Sequence, residues 1–159
     1  MLWELRDYLA DIVLIGGWVP HLYRRYGPFP EWRGDLALTS ELDLLVDRRL
    51  ARAGRPSLPE ILAAADFEQA PGSALNAVWA RHARPGELIE FLVPFAGQPR
   101  RSQGTIAVQE QPGLAAIPLH YVDLLARHAT SLRIPILAPG GELSLEVRVP
   151  TLGAYVVNK

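Results

Sequence analysis

Residues 12–26 read IVLIGGWVPHLYRRY, and their pattern predicts the first elements of the fold. Its first four residues form a continuous aliphatic and β-branched run, which predicts a buried strand. Gly16 and Gly17 stop that run and predict a tight turn. The residues from Trp18 to Tyr26 follow with helical spacing. We therefore predict a strand, a glycine turn and a helix in direct succession.

A second strand is predicted at residues 38–47, which read LTSELDLLVD. Alternate side chains of a strand share a face, so Glu41 and Asp43 lie on one side with Cα atoms about 7 Å apart. At about 5 Å and an effective dielectric constant near 20, two carboxylates repel by roughly 3 kcal/mol, and a shared cation relieves this. Oxygen-only ligands favour Mg²⁺ or Mn²⁺ over zinc. The alternative is a solvent-facing pair, with Leu42 and Leu44 turned to the core.

The glycine turn is also a candidate phosphate site. Backbone N–H groups at a helix N-terminus attract anions. Because Gly16 and Gly17 have no side chains, a phosphate can approach that backbone closely. The alternative is an ordinary tight turn without a ligand.

The rest of the chain alternates short helices with hairpins. Apolar spacing, prolines and glycines set the expected bounds of each element. The predicted elements are an amphipathic helix at 2–10, a surface loop at 27–37, a helix capped by Ser57 that ends near Asp66, a hairpin of 77–83 with 87–95, a short strand at 105–109, a helix at 119–129, a second hairpin of 132–137 with 142–149, and a helix that begins at Pro150.

Composition narrows the class of protein. With 159 residues, 49% hydrophobic and 21% charged, the chain is long and apolar enough for one domain with a core. The formal net charge of −1 gives no general attraction to nucleic acid. The absence of cysteine excludes disulfides, thiolate zinc sites and cysteine nucleophiles. No signal peptide and no apolar run of about 20 residues is present, so we expect a cytoplasmic protein without membrane insertion.

The order of the motifs resembles a known family. Strand, Gly-Gly, helix, loop and then Thr39-x-Glu41-x-Asp43 on the next strand is similar to the opening of the nucleotidyltransferase fold, the DNA-polymerase-β-like superfamily. Among its branches, the chain looks most like the uncharacterised bacterial members and the AbiEii-type toxins of type IV toxin–antitoxin systems. The resemblance implies an α+β fold with a mixed sheet flanked by helices, with additional β-hairpins in the second half. It implies a single nucleotidyltransferase-like domain over residues 1–159, without the further C-terminal helices of the family.

The resemblance also implies an activity and the residues that carry it. The activity is metal-dependent nucleotidyl transfer from a nucleoside triphosphate, with Mg²⁺ or Mn²⁺ held by Glu41 and Asp43. The acceptor is a tRNA, a protein or a small molecule, and a role as a toxin would add an antitoxin partner. Glu90, in the segment ELIEFLV, is the candidate for the third catalytic and metal-binding carboxylate, and Glu87 is the weaker choice because it lies at the turn. The alternative for Glu90 is an outward-facing polar residue.

Four further positions are implied to contact the nucleotide. Gly16 and Gly17 would cradle its phosphates, Thr39 belongs to the same motif, and Lys159 stands where the family carries a lysine. In this family, aspartate is commoner than glutamate at the position of Glu41. The alternative function is therefore a catalytically degenerate module that binds a nucleotide or a partner protein. An assembly domain with a solvent-facing acidic strand is a third interpretation.

Overall fold

The structure is a computed structural model that describes residues 1–28, 36, 39–70, 77–83, 86–95, 104–138 and 140–157. It contains a short 3₁₀ helix at Arg6–Tyr8 in addition to strands and α-helices. The strands are β1 (Val13–Ile15), β2 (Glu41–Leu45), β3 (Phe67–Gln69), β4 (Val78–Arg81), β5 (Leu88–Pro94), β6 (Ile106–Ala107), β7 (Ala115–Leu119), β8 (Ala129–Ala138) and β9 (Gly141–Pro150). The helices are α1 (Trp18–Tyr26), α2 (Leu58–Ala64), α3 (Asp123–Arg127) and α4 (Leu152–Val157).

The main sheet is mixed. Its strands run in the order β1-β2-β5-β4-β3, and β7 pairs with both β5 and β6. The pairs β2–β5 and β5–β7 are parallel, whereas the other pairs are antiparallel. β8 and β9 form a separate two-stranded hairpin. The expected mixed sheet flanked by helices, with hairpins in the second half, is confirmed.

The two faces of the sheet bury different side chains. On one face Leu42, Leu44 and Phe91 enter the larger core, together with residues of the 3₁₀ helix, α1, α2 and the β8–β9 hairpin. The other face carries the acidic residues of β2, and α3 and α4 cover only part of it. The smaller cluster on that face consists of Val13, Ile15, Leu45, Leu92, Val122, Leu125 and Ala154.

Helix α1 is held at both ends. It starts directly after Gly17, and Pro20 lies in its first turn, where a missing N–H costs little. Near its C-terminus the hydroxyl of Tyr23 donates a 3.0 Å hydrogen bond to the carbonyl of Pro150 at the end of β9. Burial raises the pKa of Tyr23. The hairpin therefore fixes the direction in which α1 leaves the glycine turn.

A buried glutamine joins three segments on the side of the larger core. Gln111 is 1% exposed, and its Oε1 accepts from the N–H of Leu58 at 2.7 Å. Its Nε2 donates to the carbonyl of Leu50 at 2.9 Å and to the hydroxyl of Tyr8 at 3.1 Å. Every polar atom of this side chain is paired, as burial requires.

Several local predictions are confirmed. The α1 helix has its predicted bounds, and β4 and β5 form the first predicted hairpin. Ser57 caps α2: its hydroxyl accepts from the N–H of Glu60 at 3.4 Å, while the Glu60 carboxylate accepts from the N–H of Ser57 at 2.6 Å. The second hairpin is longer than predicted, because its pairing extends from Ala129 opposite Pro150 to the turn.

Other predictions are wrong. The amphipathic helix at 2–10 is only the short 3₁₀ helix, because its backbone N–H groups bond mainly to carbonyls three residues earlier. The sequence does not predict strands β3 and β7. Residues 115–119 form β7, although the helix predicted at 119–129 includes the last of them. That helix is reduced to α3. The second strand begins at Glu41, and most of the predicted 27–37 loop lies outside the described residues.

Candidate active site

Three carboxylates lie on one face of the central strands. Asp43 of β2 and Glu90 of β5 are register partners in a parallel pair, and Glu41 precedes Asp43 by two residues on the same strand. Neighbouring strands are about 4.8 Å apart, and the side chains of register partners point to the same face. The fold therefore gathers the side chains that the sequence singled out, although they come from strands more than 40 positions apart.

Mutual repulsion and burial disturb the ionisation of this cluster. The pKa of Asp43 is raised to about 6. Burial is the largest cause of this shift, and the charge of Glu41 is the second. The pKa of Glu90 is raised as well, first by burial and then by the charges of Asp43 and Glu41. Within the described residues, no hydrogen bond or ion pair involves the Asp43 or Glu90 carboxylate. The site thus concentrates negative charge that a cation would neutralise.

Gly16 is packed directly against one of these carboxylates. Ile15, its neighbour, is the register partner of Asp43 in the antiparallel β1–β2 pair. Gly16 has a φ of +70°, and a Cβ atom on it would lie 1.7 Å from Oδ2 of Asp43. Any larger residue would strain the backbone and displace the carboxylate. The glycine turn and the acidic strand are therefore one structural unit.

Gly17 and Thr39 make the second contact of this unit. A Cβ atom on Gly17 would lie 2.6 Å from Cγ2 of Thr39. The Thr39 hydroxyl in turn accepts a 3.2 Å hydrogen bond from the N–H of Glu41, which shapes the entry to β2. Gly17 is the N-cap residue of α1 and supplies no side-chain cap. The N-terminus of α1 thus opens beside the acidic strand.

A cavity of about 320 Å³ adjoins the carboxylates. It lies over the sheet face that α3 and α4 partly cover. Glu41 is exposed and does not line it. The lining residues are Ile15, Gly16, Asp43, Glu90, Leu92, Leu119, Val122, Leu125 and Tyr155.

The chemistry of the donors fits a hard divalent cation. The three carboxylates supply oxygen only, they carry like charge, and Asp43 and Glu90 are half-buried. As they are arranged, no group of three His, Cys, Asp or Glu side chains within the described residues is close enough to hold a metal ion. Ligation by Glu41, Asp43 and Glu90 together therefore requires side-chain rotation.

The remaining predicted residues have different positions. Lys159 lies outside the described residues. Glu87 pairs with the guanidinium of Arg81 at 3.0 Å, so it is engaged at the far end of the hairpin. Sequence reasoning missed the pocket walls formed by Leu119, Leu125 and Tyr155, since they are ordinary apolar or aromatic residues with no local signal for a site.

The order of the strands and the positions of the site residues match one known fold. A strand, Gly-Gly and helix unit packed against paired carboxylates, within a mixed sheet flanked by helices, is consistent with a nucleotidyltransferase fold. The model of a nucleotidyltransferase family matches residues 4–159, and the chain belongs to that family. Membership implies nucleotidyl transfer and a nucleotide substrate. Comparisons with curated proteins and with solved structures gave no match. In the described parts of the chain, every helix is too short or too polar to cross a membrane.

Proposed function

We propose that this protein transfers a nucleotide from a nucleoside triphosphate to a hydroxyl-bearing acceptor with the help of a divalent cation. One observation carries the proposal: Glu41, Asp43 and Glu90 share a sheet face beside the N-terminus of α1. The acceptor is a tRNA, a protein or a small molecule. A toxin role with an antitoxin partner rests on the resemblance in the sequence alone.

Each residue has a distinct role in this reaction. Glu41 and Asp43 hold the cation through carboxylate oxygens, and Glu90 completes the site. When bound, Mg²⁺ or Mn²⁺ supplies positive charge to the phosphates and lowers the pKa of the acceptor hydroxyl. Gly16 and Gly17 admit the phosphates to the backbone N–H groups of α1.

The reaction moves one proton and releases one leaving group. The acceptor oxygen forms a bond to the α-phosphorus, and the bond from that phosphorus to the bridging oxygen breaks. Glu90, which shares a sheet face with Asp43, accepts the hydroxyl proton. Pyrophosphate leaves.

The arrangement of the carboxylates supports a site that closes on its cation. Without one, burial and then the repulsion between these charges raise the pKa of both Asp43 and Glu90. Glu41 is exposed, so its side chain has room to rotate toward Asp43 once the charge is offset. Binding of metal and triphosphate should then be cooperative, because each neutralises the other.

The second candidate function is a degenerate module that binds a nucleotide without transferring it. The observation that favours it is the spread of the carboxylates, which do not form a three-residue metal site as they stand. Such a module would bind a nucleoside triphosphate and release no pyrophosphate.

A transfer assay separates the two functions. Triphosphates labelled at the α-phosphate are incubated with Mg²⁺ or Mn²⁺ and with tRNA, protein extract or hydroxyl-bearing small molecules. We expect label on one acceptor class, equimolar pyrophosphate, and loss of both in Asp43→Asn and Glu90→Gln. The exposed hairpin variant Glu142→Gln is the matched control and should keep full activity. Unchanged transfer by Asp43→Asn contradicts the proposal, and binding without pyrophosphate favours the degenerate module.

A further inference from the structure

The lining of the cavity beside the carboxylates has a polar part and an apolar part. Asp43, Glu90 and Gly16 line it on the side of the glycine turn. The remaining lining residues are the aliphatic and aromatic side chains of Ile15, Leu92, Leu119, Val122, Leu125 and Tyr155.

The residues in the apolar part of the lining are buried and packed together. Ile15 and Leu92 come from the sheet and are 5% and 4% exposed, while Val122, the N-cap of α3, and Leu125 within α3 are each 3% exposed. These four residues belong to one packed cluster on this face of the sheet. The cavity therefore has a fixed floor and a fixed wall.

Helix α4 supplies the aromatic wall. Tyr155 lines the cavity and packs against the larger core, whereas its neighbour Ala154 is 9% exposed and belongs to the smaller cluster. The helix is anchored at its start, where the N–H groups of Tyr155 and Ala154 donate to the carbonyl and the hydroxyl of Thr151 at 2.9 and 3.4 Å. An aromatic residue thus belongs to the lining of the cavity.

The position of Gly16 links this cavity to the phosphate end of the site. Gly16 lines the cavity and also precedes the N-cap of α1. A triphosphate at that helix N-terminus therefore has the cavity as its immediate neighbour. Because the apolar part of the described lining has no charged side chain, only the uncharged part of a nucleotide suits it.

Resting on the proposed function, we propose that this cavity binds the nucleobase of the triphosphate between Tyr155 and the apolar wall, and selects bases by contact area and not by hydrogen bonding. Its volume of about 320 Å³ lies in the ordinary range for small-molecule sites. Base stacking on aromatic side chains tolerates every base, since each has a π-face.

The preference among bases follows from the lining. Apart from the backbone of Gly16 and the Asp43 and Glu90 carboxylates, the described lining offers only apolar side chains and Tyr155. Those carboxylates hold the cation, so they are not available to read a base edge. Purines present more surface than pyrimidines, and ATP and GTP should therefore bind more tightly than CTP and UTP.

Comparison of a nucleotide with bare polyphosphate tests the proposal. Calorimetry measures binding of ATP, CTP and inorganic tripolyphosphate with Mn²⁺ to the wild type, Tyr155→Ala and Tyr155→Phe. Leu119→Ala is a second wall variant, and Val156→Ala, an exposed position on the same helix, is the control. Melting temperatures without ligand check that each variant is folded.

We expect the wild type to bind ATP at least tenfold more tightly than tripolyphosphate, and CTP in between. Tyr155→Ala should remove about a tenfold advantage of ATP and leave tripolyphosphate binding unchanged, whereas Tyr155→Phe and Val156→Ala should match the wild type. Equal binding of ATP and tripolyphosphate, or equal loss of both in the folded Tyr155→Ala and Leu119→Ala variants, overturns the inference. So does CTP binding as tightly as ATP, which would show that contact area does not select the base. If the wild type binds none of the three, the proposed function fails as well.

Discussion

Asp43 and Glu90 are direct register partners on neighbouring parallel strands, and both carboxylates lack a counterion within the described residues. Repulsion of this kind lowers the stability of the folded state unless a ligand offsets it. The fold tolerates it because β1, β2 and β5 are fixed from the opposite face by the larger core. The acidic cluster therefore lowers the free energy of unfolding, although the sheet that carries it is well packed.

Stability without metal should depend on the ionisation of Asp43. Its pKa of about 6 in the folded state lies above the value of about 3.9 in an unfolded chain. The folded state therefore holds more protons between these two values, so the unfolding free energy falls as pH rises from about 4 to about 6. Asp43→Asn should flatten this decline and add about 1–2 kcal/mol at pH 7 after allowance for solvent screening. Urea denaturation from pH 4 to 7.5 in a chelator measures both effects, and an Asp43→Asn protein less stable than the wild type at pH 7 would show that the site is not strained.

Substitution at Gly16 should destroy the site. Gly16→Ala places a methyl group against the Asp43 carboxylate and adds strain at a positive φ. Gly54→Ala is the matched control, because Gly54 also has a positive φ, of +82°, but has no atom near its Cβ position. We expect about 1 kcal/mol of destabilisation in the control and a larger loss in Gly16→Ala. Only Gly16→Ala should lose binding of the Mn²⁺–triphosphate complex in calorimetry. Equal effects of the two substitutions would mean that the contact with Asp43 is unimportant.

The buried Gln111 should matter for folding and not for the site. Gln111→Leu leaves the N–H of Leu58 and the carbonyl of Leu50 without partners, and we expect a loss of about 2–4 kcal/mol. Tyr8→Phe removes only the hydroxyl that also donates to Pro56 at 2.8 Å, and should cost about 1 kcal/mol. Chemical denaturation checks the order of these two values. Where Gln111→Leu remains folded, its affinity for a metal–triphosphate complex should equal that of the wild type, and a selective loss of that affinity would contradict the separation.

The first half of the site was predictable because its signals are local. An aliphatic run stopped by Gly16-Gly17 and followed by helical spacing gives β1 and α1 from neighbouring residues alone. Alternation along one strand also places Glu41 and Asp43 on one face. Glu90 was found by its apolar neighbours, but its register opposite Asp43 depends on strand pairing that no local pattern specifies.

The apolar part of the site was not predictable for a physical reason. Strand β7 includes Pro118, which weakens a strand assignment, yet it pairs with β5 because tertiary packing outweighs the local preference. Without β7, the end of the cavity at Leu119 has no position. Tyr155 lies in a helix, as predicted, but its place in the lining of the cavity depends on how α4 packs in the tertiary structure.

Asp43 is the proposed ligand of a divalent cation that accompanies a nucleoside triphosphate, and the shift in melting temperature on binding tests this role. The melting temperatures of the wild type and Asp43→Asn are compared with and without Mn²⁺ and ATP together. At a ligand concentration 100 times the dissociation constant, the wild type should gain about 2.7 kcal/mol, or several degrees. The variant should gain nothing, although it is the more stable protein without ligand at pH 7. An equal shift in both proteins would show that Asp43 does not hold the cation.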